Sequence, residues 1–242
     1  MRVIILLMTA LFATAAHATP PQIVGVRETL MGINDTHLFV LRRMDDNMGS
    51  HYPTQTDVVL IARNRETNSD DQIWPVMRMI DHGVSFVEFD YETRVEPLPL
   101  KDRVNPFDIL LWRKAQSMLG AQQTVPTLGN TKISREEDGL ALVSDKGQFH
   151  LQDEMVAQRF TTSLNATRTA LPAYFIEGDE RGFDILRDVQ VDPAQDCDYG
   201  GFYTFSEQIG DEYTELWLTR VTCENDATMA EISMYFLIPK VP

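Results

Sequence analysis

The chain has 242 residues, two cysteines, and 21 Lys and Arg against 36 Asp and Glu, a formal charge of −15. That balance argues against a nucleic-acid ligand, because binding one requires Lys and Arg to neutralise phosphates, and it equally disfavours an anionic membrane surface. An acidic surplus serves solubility first, with a cation or a basic partner as its second use.

The N-terminus reads as an export signal. Met1-Arg2 is a minimal basic start, residues 3–15 form an apolar run, and Ala16-His17-Ala18 is a small-residue cleavage site, so residues 1–18 are expected to be removed. The run is too short to span a bilayer of about 30 Å, and no later run reaches that length. The sequence therefore predicts an exported protein, periplasmic, with the extracellular space as the alternative. Its two cysteines would meet an oxidising compartment and pair.

Residues 19–100 read as β-rich, with strands at 37–43, 56–64, 73–80 and 84–91 and a turn cluster at Asn68-Ser69-Asp70-Asp71. Pro75 belongs at a sheet edge or a bulge, since it has no N–H to give a ladder. Residues 101–166 form a helical middle. Asn105-Pro106-Phe107-Asp108 combines an N-cap, a first-turn proline and an early acid, and Phe107, Leu110, Leu111, Ala115 and Met118 recur at spacings of three and four, predicting a helix that ends at Gly120. Residues 121–138 read as a linker or long loop, 140–143 and 148–151 as a short hairpin, and about 153–164 as a second helix with Met155, Val156, Arg159, Phe160 and Leu164 on one side.

Residues 167–242 return to strands: 174–176 and 183–191 around a glycine-bounded turn, then the segment from Cys197 to Cys223. A loop centred on Gly210 places Tyr203 opposite Trp217, Tyr199 opposite Val221 and Cys197 opposite Cys223, so a disulfide closes the hairpin base. A two-residue Gly210-Asp211 turn, or a bulge at Gly200-Gly201, slips that pairing by one. The last strand, 229–238, alternates with Ala230, Ile232, Met234, Phe236 and Ile238 inward and Glu231, Ser233 and Tyr235 outward. Strands, a helical middle and strands again predict a β-rich α+β fold of antiparallel sheets with one or two central helices, in three regions (19–100, 101–166 and 167–242) or one domain from 19 to 242.

Chemistry-bearing motifs are sparse. No two of His37, His51, His82 and His150 stand at metal-ligand spacing, and neither a nucleophile elbow nor a phosphate-cradling glycine motif occurs. The sequence thus predicts no metal, no cofactor and no nameable catalytic residue. The acidic clusters Asp45-Asp46, Asp70-Asp71, Glu136-Glu137-Asp138, Asp179-Glu180 and Asp211-Glu212 read as solvated turn residues. Arg63 and Arg78, facing one another across the 56–80 hairpin, would hold an anionic ligand by bidentate contacts; the competing expectation pairs them with surplus acids. His51 and His82 fall at loop or strand-end positions, where binding residues concentrate. Asn34-Asp35-Thr36 and Asn165-Ala166-Thr167 match a glycosylation acceptor pattern that carries meaning only in a eukaryotic secretory pathway. The expectation is an exported, non-enzymatic binding or envelope-interaction module with an envelope or secreted protein as partner. The alternative is an exported hydrolase whose carboxylates or histidines converge only in three dimensions.

Overall fold

The computed structural model describes residues 24–47, 54–84, 93–117, 132–144, 147–176, 196–209, 212–225 and 230–237. In chain order these form β1 (Val24–Ile33), β2 (His37–Asp46), β3 (Thr54–Asn64), β4 (Asp70–Val84), β5 (Thr93–Pro97), α1 (Pro106–Trp112), β6 (Gln116–Ser117), β7 (Lys132–Glu136), β8 (Gly139–Ser144), β9 (Gly147–Gln152), α2 (Asp153–Ala170), β10 (Cys197–Ile209), β11 (Glu212–Asn225) and β12 (Ala230–Leu237). The fold is β-rich α+β, as the order of elements predicts.

Both β-rich regions enter one mixed sheet, ordered β10-β11-β12-β1-β2-β3-β4-β5, with β6 also paired to β1. Every pairing in it is antiparallel except β1 with β12, which runs parallel and joins the early strands to the late ones. β7, β8 and β9 make a separate antiparallel sheet.

The middle of the large sheet is covered on both faces. Val40, Val59 and Ile61 pack with Val156, Phe160 and Leu164 of α2, whereas Phe39, Leu60 and Ala62 pack with Leu110 of α1. That explains why the Val58-Val59-Leu60-Ile61-Ala62 run of β3 is apolar without alternation: neither of its faces meets water. Phe160 and Phe236 meet edge to face at 5.2 Å, a geometry worth about 1 kcal/mol beyond the area it buries.

Several expectations change. The central helix stops at Trp112 instead of Gly120, and Gln116 and Ser117 turn out to pair with Ile33 and Gly32. β12 covers that edge of β1 only along residues 24–27, so the far end of β1 offers unpaired backbone groups that β6 takes up. β7 occupies part of the segment read as a loop. The helix read as 153–164 continues to Ala170 and then as a 3₁₀ turn over Leu171–Tyr174, leaving Phe175 only a single bridge to Leu100 in place of a strand. In β12 the predicted outward residues Ser233 and Tyr235 are buried: Ser233 Oγ accepts from Arg220 Nε at 2.5 Å and lies 3.1 Å from Thr222 Oγ1 on the neighbouring strand, and the Tyr235 backbone is bonded to Glu28 and Arg63. Strands read at 84–91 and 183–191 lie almost wholly outside the described residues, as does Ile238.

The cysteine hairpin carries its disulfide between directly opposed Cys197 and Cys223. Tyr199 faces Val221 as expected, but a bulge between Gly200 and Phe202 then slips the ladder, setting Tyr203 against Leu218 and Thr204 against Trp217. The slip ends at Ile209 opposite Glu212, which leaves a two-residue connection. Pro75 likewise sits at an irregularity, where Val58 pairs Met77 and Val59 pairs Pro75.

Candidate functional site

Four strands and one helix bring six polar side chains together at the heart of the α2-covered face. Glu28 on β1 is the cross-strand neighbour of Arg42 on β2, and Arg63 on β3 that of Asp70 on β4. Ser163 and Thr167, one helical turn apart on α2, point down onto them. Arg42 and Thr167 are wholly buried, Arg63 is 1% exposed, and the side chains of Glu28 and Asp70 are solvent-excluded.

Every nitrogen of both guanidiniums finds an acceptor. Arg42 donates through Nε and Nη2 to Glu28 Oε1 (3.1 and 2.7 Å), through Nη1 to Ser163 O (3.1 Å) and Thr167 Oγ1 (2.5 Å), and through Nη2 to Asp70 Oδ2 (3.3 Å) and Ser163 Oγ. Arg63 donates through Nε to Asp70 Oδ1 (2.7 Å), through Nη1 to Glu28 Oε2 (3.0 Å) and Tyr235 O (2.5 Å), and through Nη2 to Glu28 Oε1 (2.7 Å) and Ser163 Oγ (3.2 Å). Tyr235 N closes the array on Glu28 Oε2 at 2.9 Å, and the Ser163 hydroxyl donates to Asp70 Oδ2.

Burial pushes the Glu28 and Asp70 carboxyls up, but the Arg63 and Arg42 charges outweigh it and hold both below the usual range. Burial likewise disfavours the Arg63 cation, and Glu28 and Asp70 more than restore it. Two cations thus face two anions with no net charge, which is how charges survive without water. With lone pairs and N–H groups consumed internally, this cluster pins α2 to β1–β4 through side chains and to β12 through the Tyr235 backbone.

A second buried pair lies further along the same face. Arg78 Nε stands 3.5 Å from Asp57 Oδ1, and the guanidinium lies 3.8 Å from the centre of the Phe175 ring. Burial lifts the Asp57 carboxyl to about 6, against the opposing pull of Arg78 and a hydrogen bond from Gln55 Nε2. Arg63 and Arg78 therefore do not face each other; each is matched across the β3–β4 ladder to an acid, Asp70 and Asp57.

Between β4 and α2 opens a groove of about 650 Å³ beside Asp70, lined by Asp71, Gln72, Trp74, Asn165, Thr169 and Tyr174. The hydroxyl of Ser69 and the amide of Asn64 hold the Asp71 carboxyl below its ordinary range. On the opposite side of the sheet, α1 turns Leu110 inward and leaves Phe107, Leu111 and Trp112 exposed at 56%, 80% and 67%.

The histidines are dispersed. His37 Nε2 bonds Asp71 Oδ2 at 3.2 Å, exposed His82 bonds Glu96 Oε2 at 3.0 Å, and His150 Nε2 stands 3.4 Å from both Glu136 Oε2 and Asp138 Oδ1. His51 lies outside the described residues. Asn34 of the first glycosylation pattern is a turn former, its Oδ1 accepting from Thr36 N and His37 N; in the second, Thr167 is consumed by Arg42.

Sequence reading missed Glu28, Asp57, Ser163 and Thr167. A usable signal was present: Glu28 continues the inward series of Val26, Arg42 that of Leu38 and Val40, and Arg63 that of Val59 and Ile61. A charge in phase with buried apolar positions has to be neutralised by another element. Comparison with protein-family models, curated proteins and solved structures finds no match to this chain.

Proposed function

We propose that the protein is an exported, disulfide-braced interaction module that docks an envelope or secreted protein on the outer face of α1. The observation that carries this is the exposure of Phe107, Leu111 and Trp112 on one seven-residue helix, half of the six exposed large hydrophobic residues among those described. Aromatic anchors clustered on a surface mark protein interfaces more often than solvent-facing scaffolding. Exposed Lys101, Asp102, Arg103 and Lys114 flank the helix in sequence and supply the charged rim such interfaces carry. Export rests on the N-terminal apolar run, its small-residue cleavage site and the disulfide.

Hydrolysis by paired carboxylates needs one of them to hold a proton at neutral pH. Asp70 and Asp71, the carboxylates of the groove, are both held ionised, and Asp70 is already spent on Arg63 and Arg42. This favours binding over the hydrolase alternative.

The test is affinity capture from the envelope fraction of the protein's own cell, comparing wild type, a Leu111→Asp/Trp112→Ser variant and a tag-only control. Wild type is expected to recover a stoichiometric partner, and the variant at least tenfold less with an unchanged melting temperature. Equal recovery by both proteins, or nothing above the control, overturns the reading.

A further inference from the structure

The small sheet carries the one mixed cluster of histidine and carboxylate among the described residues that has metal-binding dimensions. Glu136 ends β7, Asp138 lies in the β7–β8 turn, and His150 comes back on β9; one ligand atom from each lies within 4.8 Å of the others. Their spacing fits a shared ion better than a direct hydrogen bond. A direct charge-assisted hydrogen bond would bring nitrogen and oxygen to about 2.7–2.9 Å. His150 Nε2 instead stands 3.4 Å from each carboxylate and makes no hydrogen bond, although that nitrogen is shielded from water. A tetrahedral ion with bonds of about 2.0–2.1 Å sets its ligand atoms about 3.3–3.4 Å apart. The two carboxylates also repel each other in a protein already at −15, a cost that a shared cation removes.

The turn is held in place before any ion arrives. Asp153 N donates to Asp138 O at 2.9 Å, and Arg135 is ion-paired with Asp153, tying the turn to the start of α2. Gly139 allows this closeness: a Cβ there would collide with Leu151 O on β9, immediately beside His150. The acids are exposed, whereas the imidazole is half-buried.

We propose that Glu136, Asp138 and His150 bind one divalent first-row transition-metal ion, with Zn²⁺ the best fit to an N,O,O set at tetrahedral spacing and solvent completing the fourth position. Calcium is a poorer match, because it takes six to eight oxygens and no imidazole. The site is remote in sequence from α1 and independent of the docking proposal, so either can fail alone.

The experiment is isothermal titration of metal-stripped, untagged protein with Zn²⁺, alongside His150→Ala and Asp138→Asn, followed by Co²⁺ substitution and imidazole NMR. Expected are one saturable site per chain, at least tenfold weaker binding in each variant, an intense visible Co²⁺ band of the tetrahedral type, and shifts of the His150 ring signals with those of His37 and His82 unmoved. No saturable uptake by wild type would show that the three side chains form only an ion pair and would overturn the proposal. Uptake that both variants retain would place the ion elsewhere and overturn it equally.

Discussion

Glu28 is the residue on which the buried cluster turns, since it alone accepts from both guanidiniums and from the backbone of β12. Removing one partner of a buried ion pair leaves charge without water or counter-charge, at a cost of about 3–5 kcal/mol, whereas removing a matched pair costs far less. Glu28→Gln is therefore expected to lower unfolding free energy by about 3–5 kcal/mol in urea titrations, and Glu28→Gln combined with Arg42→Met by less than the sum of the two single changes. A loss below about 1 kcal/mol for Glu28→Gln would show the cluster to be energetically idle. Asp57 gives the opposite pH signature. Its carboxyl is lifted from 3.8 to about 6, so the folded state binds the proton more tightly than the unfolded chain, and stability falls as pH rises between those values. Glu28 and Asp70, held below their usual range, give stability that is present above pH 4–5 and lost on further acidification. Asp57→Asn is expected to remove the contribution of Asp57 to that decline, on the order of 3 kcal/mol between about pH 4 and 6, while leaving the acid limb intact. Parallel pH profiles of the two proteins would refute that assignment.

At the scale of elements, the short helix α1 shows where local pattern and tertiary demand part company. Its start was legible, because Asn105 accepts from Phe107 N at 3.1 Å and Pro106 fills the first turn. Its end was not. Lys114 adopts φ 51°, Lys114 N bonds Leu111 O and Ala115 N bonds Leu110 O, the paired bonds of a Schellman stop, with Ala115 and Leu110 in one apolar cluster. Periodicity carried the expected helix onward to Gly120, the residue type such a stop prefers, and the chain stopped on a lysine because the open edge of β1 takes Gln116 and Ser117. A left-handed backbone costs a side-chain-bearing residue about 1–2 kcal/mol and glycine little. Lys114→Gly is accordingly expected to raise stability by about 0.5–1 kcal/mol in thermal or urea unfolding, and a loss of similar size would contradict the stop as described. The cysteine hairpin behaves in the opposite way. Its base was readable from two opposed cysteines, and only the Gly200–Phe202 bulge shifted the register beyond it.

At the scale of the molecule, two β-rich segments at opposite ends of the chain close into one sheet through β1 and β12, and the segment between them supplies a cover for each face. The cover on one side is locked by buried ion pairs; on the other, α1 packs Leu110 and Ile109 onto the sheet and turns Phe107, Leu111 and Trp112 outward, which is why the expected partner loss in Leu111→Asp/Trp112→Ser belongs to the surface and leaves the fold unaffected. Local sequence pattern was enough for the β-rich α+β class, most strand positions, the two helix starts and the cysteine pairing. These depend on interactions between near neighbours: period-two alternation, cap residues, turn chemistry, and cysteines facing each other across one hairpin. The destinations of the arginines, the faces of α1 and the meeting of His150 with Glu136 and Asp138 were set by tertiary packing. Arg42 reaches Ser163 across 121 positions and Tyr235 reaches Glu28 across 207. At such separations local pattern carries no information about contact, and the requirement that a buried charge be neutralised says only that a partner exists, leaving the packing of strands against α2 to select which one.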